Sequence, residues 1–180
     1  MIKFIGKTVF NLKNIREFQK AKNQSDLEIT RQIIIEQNNK FINGEFQGKC
    51  NTTHYDYLVI VQVHKRINFL SLLLSSLEKA TKSSEIMVVV SVDVYDPKLI
   101  QTIESELTTV CYSIVYHPYS MSFWRDQYPA EDPRDCSRDQ KTELDKCNSE
   151  AKADTYGHYR EVKFSQIKLH WTWKLNFITV

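Results

Sequence analysis

The sequence predicts an α/β fold, with a mainly parallel sheet and flanking helices. Three apolar runs rich in β-branched residues predict strands, and the two segments between them have the apolar spacing of helices. The order strand, helix, strand, helix, strand favours a parallel sheet with right-handed crossovers. Ligands of such sheets bind beyond the carboxyl ends of the strands, so the residues that follow each run are the first candidates for a binding site.

The three predicted strands comprise residues 57–63, 86–92 and 110–116. Each run is apolar without the alternation of a half-exposed strand, which is typical of strands that are buried on both faces. Polar residues stand at their carboxyl ends: Gln62, His64, Asp93 and His117.

The two predicted helices have recognisable beginnings. Asn68 is the predicted N-cap of the first helix. The second begins at Asp96 and Pro97, because proline suits the first helical position, where no N–H hydrogen bond is lost. Their predicted apolar sides consist of Leu70, Leu73, Leu74 and Leu77 in the first, and of Ile100, Ile103 and Leu107 in the second.

The N-terminal region is less regular. Residues 1–55 are predicted to be a basic leader and stem-like segment, and the leader also suits a membrane surface or a targeting peptide. Within this region, the capping-box pattern at residues 25–28 predicts a helix toward Lys40. The isoleucine run at residues 33–35 argues equally for a strand.

The C-terminal region begins with a polar, turn-rich connection over residues 117–158. A connection of this length inside a compact domain is usually functional or covalently stapled. The segment after it predicts an amphipathic helix, in which Trp171 and Trp173 are interpreted as core residues, with stacking on a sugar or base as the alternative. Its predicted buried side consists of Phe164, Ile167, Trp171, Leu175 and Ile178.

Composition excludes several classes of protein. The chain is 42% hydrophobic and 26% charged with a formal net charge of +2, which is typical of one globular domain and not of a disordered chain. This balanced charge argues against nucleic acid as a partner. No apolar run approaches the roughly 18–20 residues that span a bilayer, so no membrane anchor is visible, and no glycine-rich phosphate loop occurs.

Cationic residues follow the first strand directly. Lys65 and Arg66 suit phosphate groups, and the imidazole of His64 either donates or accepts a hydrogen bond. The carboxylate of Asp93 suits the hydroxyl groups of a ribose or the edge of a base. An ordinary strand-to-helix loop and a local turn are the alternatives for these two places.

Two polar groups lie further along the chain. One surrounds the last helix: His158, Tyr159, Arg160, Lys163, Gln166, Lys168 and His170. Gln166 and His170 share a helix face and suit hydrogen bonding to a ligand better than metal binding, because no carboxylate accompanies them. The other group, residues 132–139, alternates Arg and Asp and is predicted to order its loop by ion pairs, with contact to a substrate as the alternative.

The four cysteines include no C-x-x-C pair. Cys111 lies in an apolar run and is predicted to be a buried thiol. Cys136 and Cys147 flank one polar loop that a disulfide would close. Asn23 and Asn51 begin N-glycosylation sequons, and together with a disulfide they slightly favour a secretory lumen.

Four stretches resemble one family of enzymes. Residues 57–66 (YLVIVQVHKR), 132–139 (DPRDCSRD), 157–161 (GHYRE) and 163–174 (KFSQIKLHWTWK) resemble eukaryotic N-acetylglucosaminyltransferase II in sequence, order and spacing. The resemblance implies a GT-A fold, whose sheet is Rossmann-like. It also implies that residues 56–180 are the nucleotide-binding portion of a glycosyltransferase domain that is incomplete at its C-terminus.

The resemblance further implies an enzyme on the lumenal side of the Golgi membrane. Such an enzyme transfers N-acetylglucosamine from UDP-GlcNAc to the 2-hydroxyl of the α1,6-linked mannose of N-glycans, inverting the anomeric centre. Mn²⁺ neutralises the diphosphate leaving group in this family. Association with other Golgi glycosyltransferases is a further expectation.

The motifs of the family assign residues to roles in this chain. Cys136 and Cys147 match a family disulfide. The donor contacts fall on Gln62, Val63, His64, Lys65, Arg66, Asp93, Gln166, Ile167, Lys168, Leu169 and His170. Five positions depart from the family pattern, which usually has Asn, Pro, His, Thr and His where this chain has Lys65, Ile67, Val92, Ile167 and Leu169.

The acidic metal motif and the general base of the family are expected beyond Val180. Catalytic residues and Mn²⁺ ligands are therefore not expected within this chain, and we expect the chain by itself to have little or no transferase activity. A non-catalytic form that binds a UDP-sugar or a protein partner is the alternative.

Overall fold

A computed structural model of the chain describes residues 24–50, 54–80, 85–94, 96–121, 123–124, 128–132, 135–138 and 155–179. The chain forms two compact units, and the boundary between them falls after Pro118. The predicted leader, residues 1–22, lies outside the described residues. The boundary predicted between residues 55 and 56 stays a prediction.

The first unit contains the sheet and three of the described helices. In chain order its elements are α1 (Gln24–Ile42), β1 (Tyr57–Val63), α2 (Ile67–Glu78), β2 (Ile86–Val92), α3 (Pro97–Glu106) and β3 (Cys111–Tyr116). The second unit contains α4 (Val162–Ile178). The predicted α/β fold is confirmed.

The described sheet has the order β1-β2-β3, and both pairs of strands are parallel. Tyr57 pairs with Ile86 at the start of β1, and Val63 pairs with Val92 at its end. The central strand β2 is almost wholly inaccessible to solvent, as its continuous apolar run predicts. All three predicted strands are confirmed, although the third begins at Cys111 and not at residue 110.

The two crossover helices differ in how well the sequence predicted them. The predicted start of α3 at Asp96 and Pro97 is confirmed, and the Asp96 carboxylate caps the helix by accepting a hydrogen bond from the Lys98 N–H at 2.9 Å. The prediction that Asn68 caps α2 is wrong. This helix begins at Ile67, and the flanking Arg66 makes no side-chain capping bond. Leu73 is also 43% exposed, so the buried side of α2 is narrower than predicted. The predicted buried side of α3 is confirmed at Ile100, Ile103 and Leu107.

Helix α1 settles the alternative that the sequence left open at residues 33–35. Its buried positions are spaced three and four apart, as in a helix, and they are Leu27, Thr30, Ile34 and Asn38. Asn38 donates a hydrogen bond to the carbonyl of Tyr116 and accepts one from the N–H of the same residue, both at 2.8 Å. This carboxamide therefore pairs with both backbone hydrogen-bonding groups of Tyr116, as a neighbouring strand would, and it fixes the helix against the sheet.

A short segment after α1 covers the backbone of β3. Gln47 and Tyr112 exchange two backbone hydrogen bonds, at 2.8 and 2.9 Å, in an antiparallel bridge. The prediction that Cys111 is a free buried thiol is wrong, because Cys111 forms a disulfide with Cys50. The bridge explains the pairing, since it brings residues that are 61 positions apart in sequence to the same place.

Helix α4 exists as predicted, but of the residues predicted on its buried side only Ile178 is buried. The buried residues repeat every four positions and are Val162, Gln166, His170, Lys174 and Ile178. Phe164, Ile167, Trp171 and Leu175 are 44–54% exposed. Polar side chains occupy the buried stripe because they have polar or aromatic neighbours there; the Lys174 Nζ, for example, lies 3.4 Å from the centroid of the Trp171 ring.

The interpretation of Trp171 as a core residue is therefore wrong, whereas Trp173 is half-buried. Trp173 packs against the Phe177 ring, with the two centroids 4.9 Å apart. Among the helices that the structure describes, none has the length and apolar character needed to span a bilayer.

Candidate functional site

The first candidate site lies at the carboxyl ends of β1 and β2. Val63 and Val92 are opposite one another in the parallel register, so the residues that follow them are neighbours. The His64 Nδ1 lies 2.8 Å from an oxygen of the Asp93 carboxylate. The sequence placed both residues at strand ends, and the structure brings them into direct contact.

The environment of this pair suits contact with a ligand. The His64 side chain is 51% exposed and that of Asp93 is 20% exposed. Burial raises the pKa of Asp93 by more than the hydrogen bond with His64 lowers it. When Nδ1 of His64 carries the proton, Asp93 fixes the orientation of the ring and leaves Nε2 as a hydrogen-bond acceptor.

The other residues at the carboxyl end of β1 differ in their exposure to solvent. Lys65 and Arg66 are exposed, and they place two positive charges beside the pair. Gln62 is half-buried, whereas Val63 is a core residue that is 5% exposed. A ligand at this edge would therefore meet the side chains of His64, Lys65 and Arg66 and not that of Val63.

His117 stands one residue beyond β3 and belongs to the core. Its backbone N–H donates to the carbonyl of Val92 at 2.8 Å, and its side chain is fully buried. Burial lowers the pKa of His117 to about 4, so the ring is neutral at physiological pH. Of the polar residues at the strand ends, His117 is thus inaccessible, whereas Gln62, His64 and Asp93 retain solvent exposure.

In the second unit, the predicted donor contacts on α4 point in different directions. Gln166 and His170 are buried, Leu169 is half-buried, and Ile167 and Lys168 are exposed. The Gln166 Oε1 accepts a hydrogen bond from the Met121 N–H at 2.9 Å, and Nε2 donates to the Pro129 carbonyl at 3.1 Å. The His170 ring lies against that of Trp173, with centroids 6.2 Å apart.

A cleft of about 510 Å³ lies within this second unit, and its size is that of a small-ligand site. Its walls combine cationic, aromatic and hydrogen-bonding side chains. They are formed by Arg138, His158, Tyr159, Arg160, Glu161, Phe164, Ser165, Ile167 and Lys168. The sequence identified the polar cluster around α4, but it gave no sign that Arg138, Glu161 and Phe164 would complete one cleft.

Ion pairs connect the walls of the cleft to residues 132–139, the run in which Arg and Asp alternate. Arg138 pairs with Glu161 at 2.5 Å, and Lys163 pairs with the same carboxylate at 2.6 Å. These hydrogen bonds hold the pKa of Glu161 below its ordinary value. Asp135 pairs with Arg160 at 2.7 Å. Asp135 and Arg138 of the run thus form ion pairs, as predicted, but with Arg160 and Glu161. Residues 133, 134 and 139 lie outside the described part of the chain.

Some predicted features lie partly or wholly outside the described residues. Cys136 is disulfide-bonded, but Cys147 lies outside the described residues, so their pairing stays a prediction. The sequons at Asn23 and Asn51 also lie outside them. Within the described residues, no group of three or more His, Cys, Asp and Glu side chains could hold a metal ion.

Comparison with known proteins identifies close sequence relatives. A sequence model of the family N-acetylglucosaminyltransferase II (MGAT2) matches residues 31–179. The mouse and human proteins named alpha-1,6-mannosyl-glycoprotein 2-beta-N-acetylglucosaminyltransferase are each 39% identical to this chain, over 127 and 128 residues. Each match covers 68% of this chain and 28% of the relative.

A plant protein extends the comparison. The Arabidopsis thaliana protein of the same name is 28% identical over 121 residues, which is 67% of this chain and 27% of the plant protein. The chain therefore spans somewhat more than a quarter of the length of the curated relatives it matches.

Proposed function

Because the chain belongs to the N-acetylglucosaminyltransferase II family, we propose that the protein transfers N-acetylglucosamine from UDP-GlcNAc to the 2-hydroxyl of the α1,6-linked mannose of N-glycans. The names of its relatives support this acceptor and this sugar. The contact between His64 and Asp93 is the structural observation that carries the proposal. It lies where parallel α/β sheets bind nucleotides.

The donor would lie across the carboxyl ends of β1 and β2. Lys65 and Arg66 supply positive charge for the diphosphate, which the guanidinium group binds in a fixed fork geometry. The Asp93 carboxylate accepts hydrogen bonds from ribose hydroxyl groups or a base N–H. The His64 ring, oriented by Asp93, adds one directional hydrogen bond beside them.

The acceptor would use polar and aromatic surfaces of the kind that line the cleft in the second unit. Sugars present hydroxyl groups together with apolar C–H faces, so they are bound by hydrogen-bonding side chains and aromatic rings. Arg138, Glu161 and Phe164 supply these features within that cleft.

Manganese is part of the proposal, but the described residues do not provide its site. Mn²⁺ prefers carboxylate and other oxygen ligands, and the described part of the chain contains no cluster of them. The ion would therefore require ligands outside the described residues. When bound, it would neutralise charge on the UDP leaving group.

A lumenal compartment of the secretory pathway, and the Golgi in particular, is the proposed location. The disulfide between Cys50 and Cys111 supports an oxidising compartment, because disulfides are rare in the cytosol.

Calorimetry with UDP-GlcNAc tests donor binding directly. We expect heat of binding for both UDP-GlcNAc and UDP. His64→Ala should lower the affinity about tenfold, the loss expected when one directional hydrogen bond to the ligand is removed. His54→Ala is the matched control, since His54 also pairs with an aspartate, Asp56, but before β1 and not after it. Absence of heat at millimolar UDP-GlcNAc would overturn the proposal.

Mass spectrometry of an N-glycan acceptor, after incubation with the protein, UDP-GlcNAc and Mn²⁺, tests the transfer. One added N-acetylglucosamine on the α1,6-linked mannose supports the proposed activity. Donor binding without any transfer would support the alternative, a non-catalytic form that binds the UDP-sugar.

A further inference from the structure

We propose that Gln166 is a positioning residue. Together with Arg160, it fixes the segment from Tyr128 to Ala130 through the carbonyl of Pro129. Its carboxamide does not contact the nucleotide sugar, although the family motif places Gln166 among the donor contacts. The identity of the ligand as a nucleotide sugar rests on the proposed function. The contacts of the segment are observed independently of it.

Both ends of the Gln166 carboxamide are engaged inside the second unit. The oxygen accepts from the Met121 N–H, and the nitrogen donates to the Pro129 carbonyl. The residue is only 9% exposed. A ligand that recruited this carboxamide would take the side-chain acceptor from the part-buried Met121 N–H and the amide donor from the buried Pro129 carbonyl, which is unfavourable.

Arg160 binds the same carbonyl as Gln166. Its Nη2 donates to the carbonyls of Pro129 and Ala130, at 2.5 and 2.6 Å, and its Nη1 pairs with Asp135. The guanidinium carbon also lies 5.0 Å from the centroid of the Tyr128 ring. One arginine thus holds three consecutive residues, and Gln166 joins it at the middle one.

The arrangement has a consequence for the surface of the unit. Tyr128 is 62% exposed, and the Arg160 guanidinium covers one face of its ring. The two hydrogen bonds hold the backbone carbonyl that follows Tyr128, and the guanidinium contact orients its ring. Gln166 therefore acts on the surface through Pro129 and not by direct contact.

Amide hydrogen exchange and carbonyl chemical shifts, measured by NMR, test the positioning role. Gln166→Met removes both hydrogen bonds, so exchange at the Met121 amide should become about tenfold faster, the effect expected for loss of one hydrogen bond. Gln166→Glu keeps the acceptor, so the Met121 amide should stay protected. At neutral pH the introduced carboxylate cannot donate, and the carbon-13 shift of the Pro129 carbonyl should change.

The glutamate variant adds a signature that general damage to the fold would not produce. When the introduced carboxyl is protonated at acid pH, it donates again, so the Pro129 shift should return toward the wild-type value. Gln101→Glu is the matched control, because Gln101 lies on the exposed side of α3 and should show no such change at Pro129. A Pro129 shift in Gln166→Glu that does not depend on pH would contradict the proposal.

A second arm separates positioning from ligand contact. Saturating wild-type protein with UDP-GlcNAc should leave exchange at the Met121 amide unchanged. Faster exchange on saturation would mean that the carboxamide leaves Met121 for the ligand, and the proposal would be overturned. If UDP-GlcNAc does not bind at all, the proposed function fails, while the Gln166 variants still decide the role of this side chain.

Discussion

His64 and Asp93 follow neighbouring parallel strands, and the imidazole Nδ1 of one lies 2.8 Å from the carboxylate of the other. The parallel register of β1 and β2 produces this contact, because it aligns the last residues of the two strands. Two residues that are 29 positions apart in sequence thereby form one polar pair at the edge where such sheets bind ligands.

Asp93→Asn should stabilise the protein at neutral pH. Burial raises the pKa of Asp93, so the native state binds the proton more tightly than the unfolded chain does. The ionised carboxylate therefore lowers the free energy of unfolding once the pH rises through the native pKa. The uncharged amide of the variant does not have this cost. The variant's higher free energy of unfolding should therefore fall to the wild-type value at pH values below the ordinary pKa of aspartate. Urea denaturation at several pH values measures it; a variant that is less stable at neutral pH would contradict the account.

Glu78→Gln should destabilise the protein with the opposite pH dependence. Burial alone would raise the pKa of Glu78, but the hydrogen bonds from Thr109, Thr108 and Val110 outweigh it, and the pKa is lowered. This stabilisation is present above the ordinary pKa of glutamate and is lost as the pH falls through the native pKa. We expect a loss of about 1 kcal/mol at pH 7, discounted for solvent exposure.

The same denaturation series provides the control for Glu78. Glu36→Gln lies on the exposed surface of α1 and should change the free energy of unfolding little at any pH. If Glu78→Gln and Glu36→Gln gave the same result at neutral pH, the hydrogen bonds to residues 108–110 would not contribute to stability.

Removal of the Cys50–Cys111 disulfide should lower the free energy of unfolding by about 2–4 kcal/mol, because the bond closes a long loop of the unfolded chain. Replacing both cysteines by serine or alanine, followed by thermal denaturation, measures this. Hydrogen exchange at the Tyr112 amide, which donates to Gln47, should also become faster. Unchanged stability and exchange would show that the bridge holds the segment without the disulfide.

Asn38→Asp should cost about 1–3 kcal/mol, because the carboxylate keeps the acceptor for the Tyr116 N–H but loses the donor to its carbonyl. Asn39→Asp is the matched control, since the neighbouring side chain is exposed. Chemical denaturation of the two variants gives the comparison. Equal stability would mean that Asn38 does not anchor α1 to the sheet.

The sequence predicted the elements of the fold better than their contacts. Strands β1 to β3 are continuous apolar runs, and the Asp96-Pro97 start of α3 is a strong local signal, so both were found. The buried side of α4 was not, because hydrophobic spacing assigns apolar residues to the core, whereas Gln166 and Lys174 are buried through polar and aromatic contacts.

Long-range contacts also limited how much of the candidate site could be predicted from the sequence. The strand-end rule placed His64 and Asp93 at one edge, but only the register of the strands brings them to 2.8 Å. The partner of Cys111 was missed because the pairing depends on the bridge between Gln47 and Tyr112, and a single bridged residue leaves no repeating pattern in the sequence.

The NMR spectrum of the histidine rings during titration with UDP-GlcNAc tests the central claim most directly. If the carboxyl edge of β1 and β2 binds the nucleotide sugar, the imidazole signals of His64 should shift and saturate with the ligand, while those of His54, before β1, should not move. Saturable binding that leaves the His64 signals unchanged would contradict the assignment of the donor site to the His64–Asp93 pair.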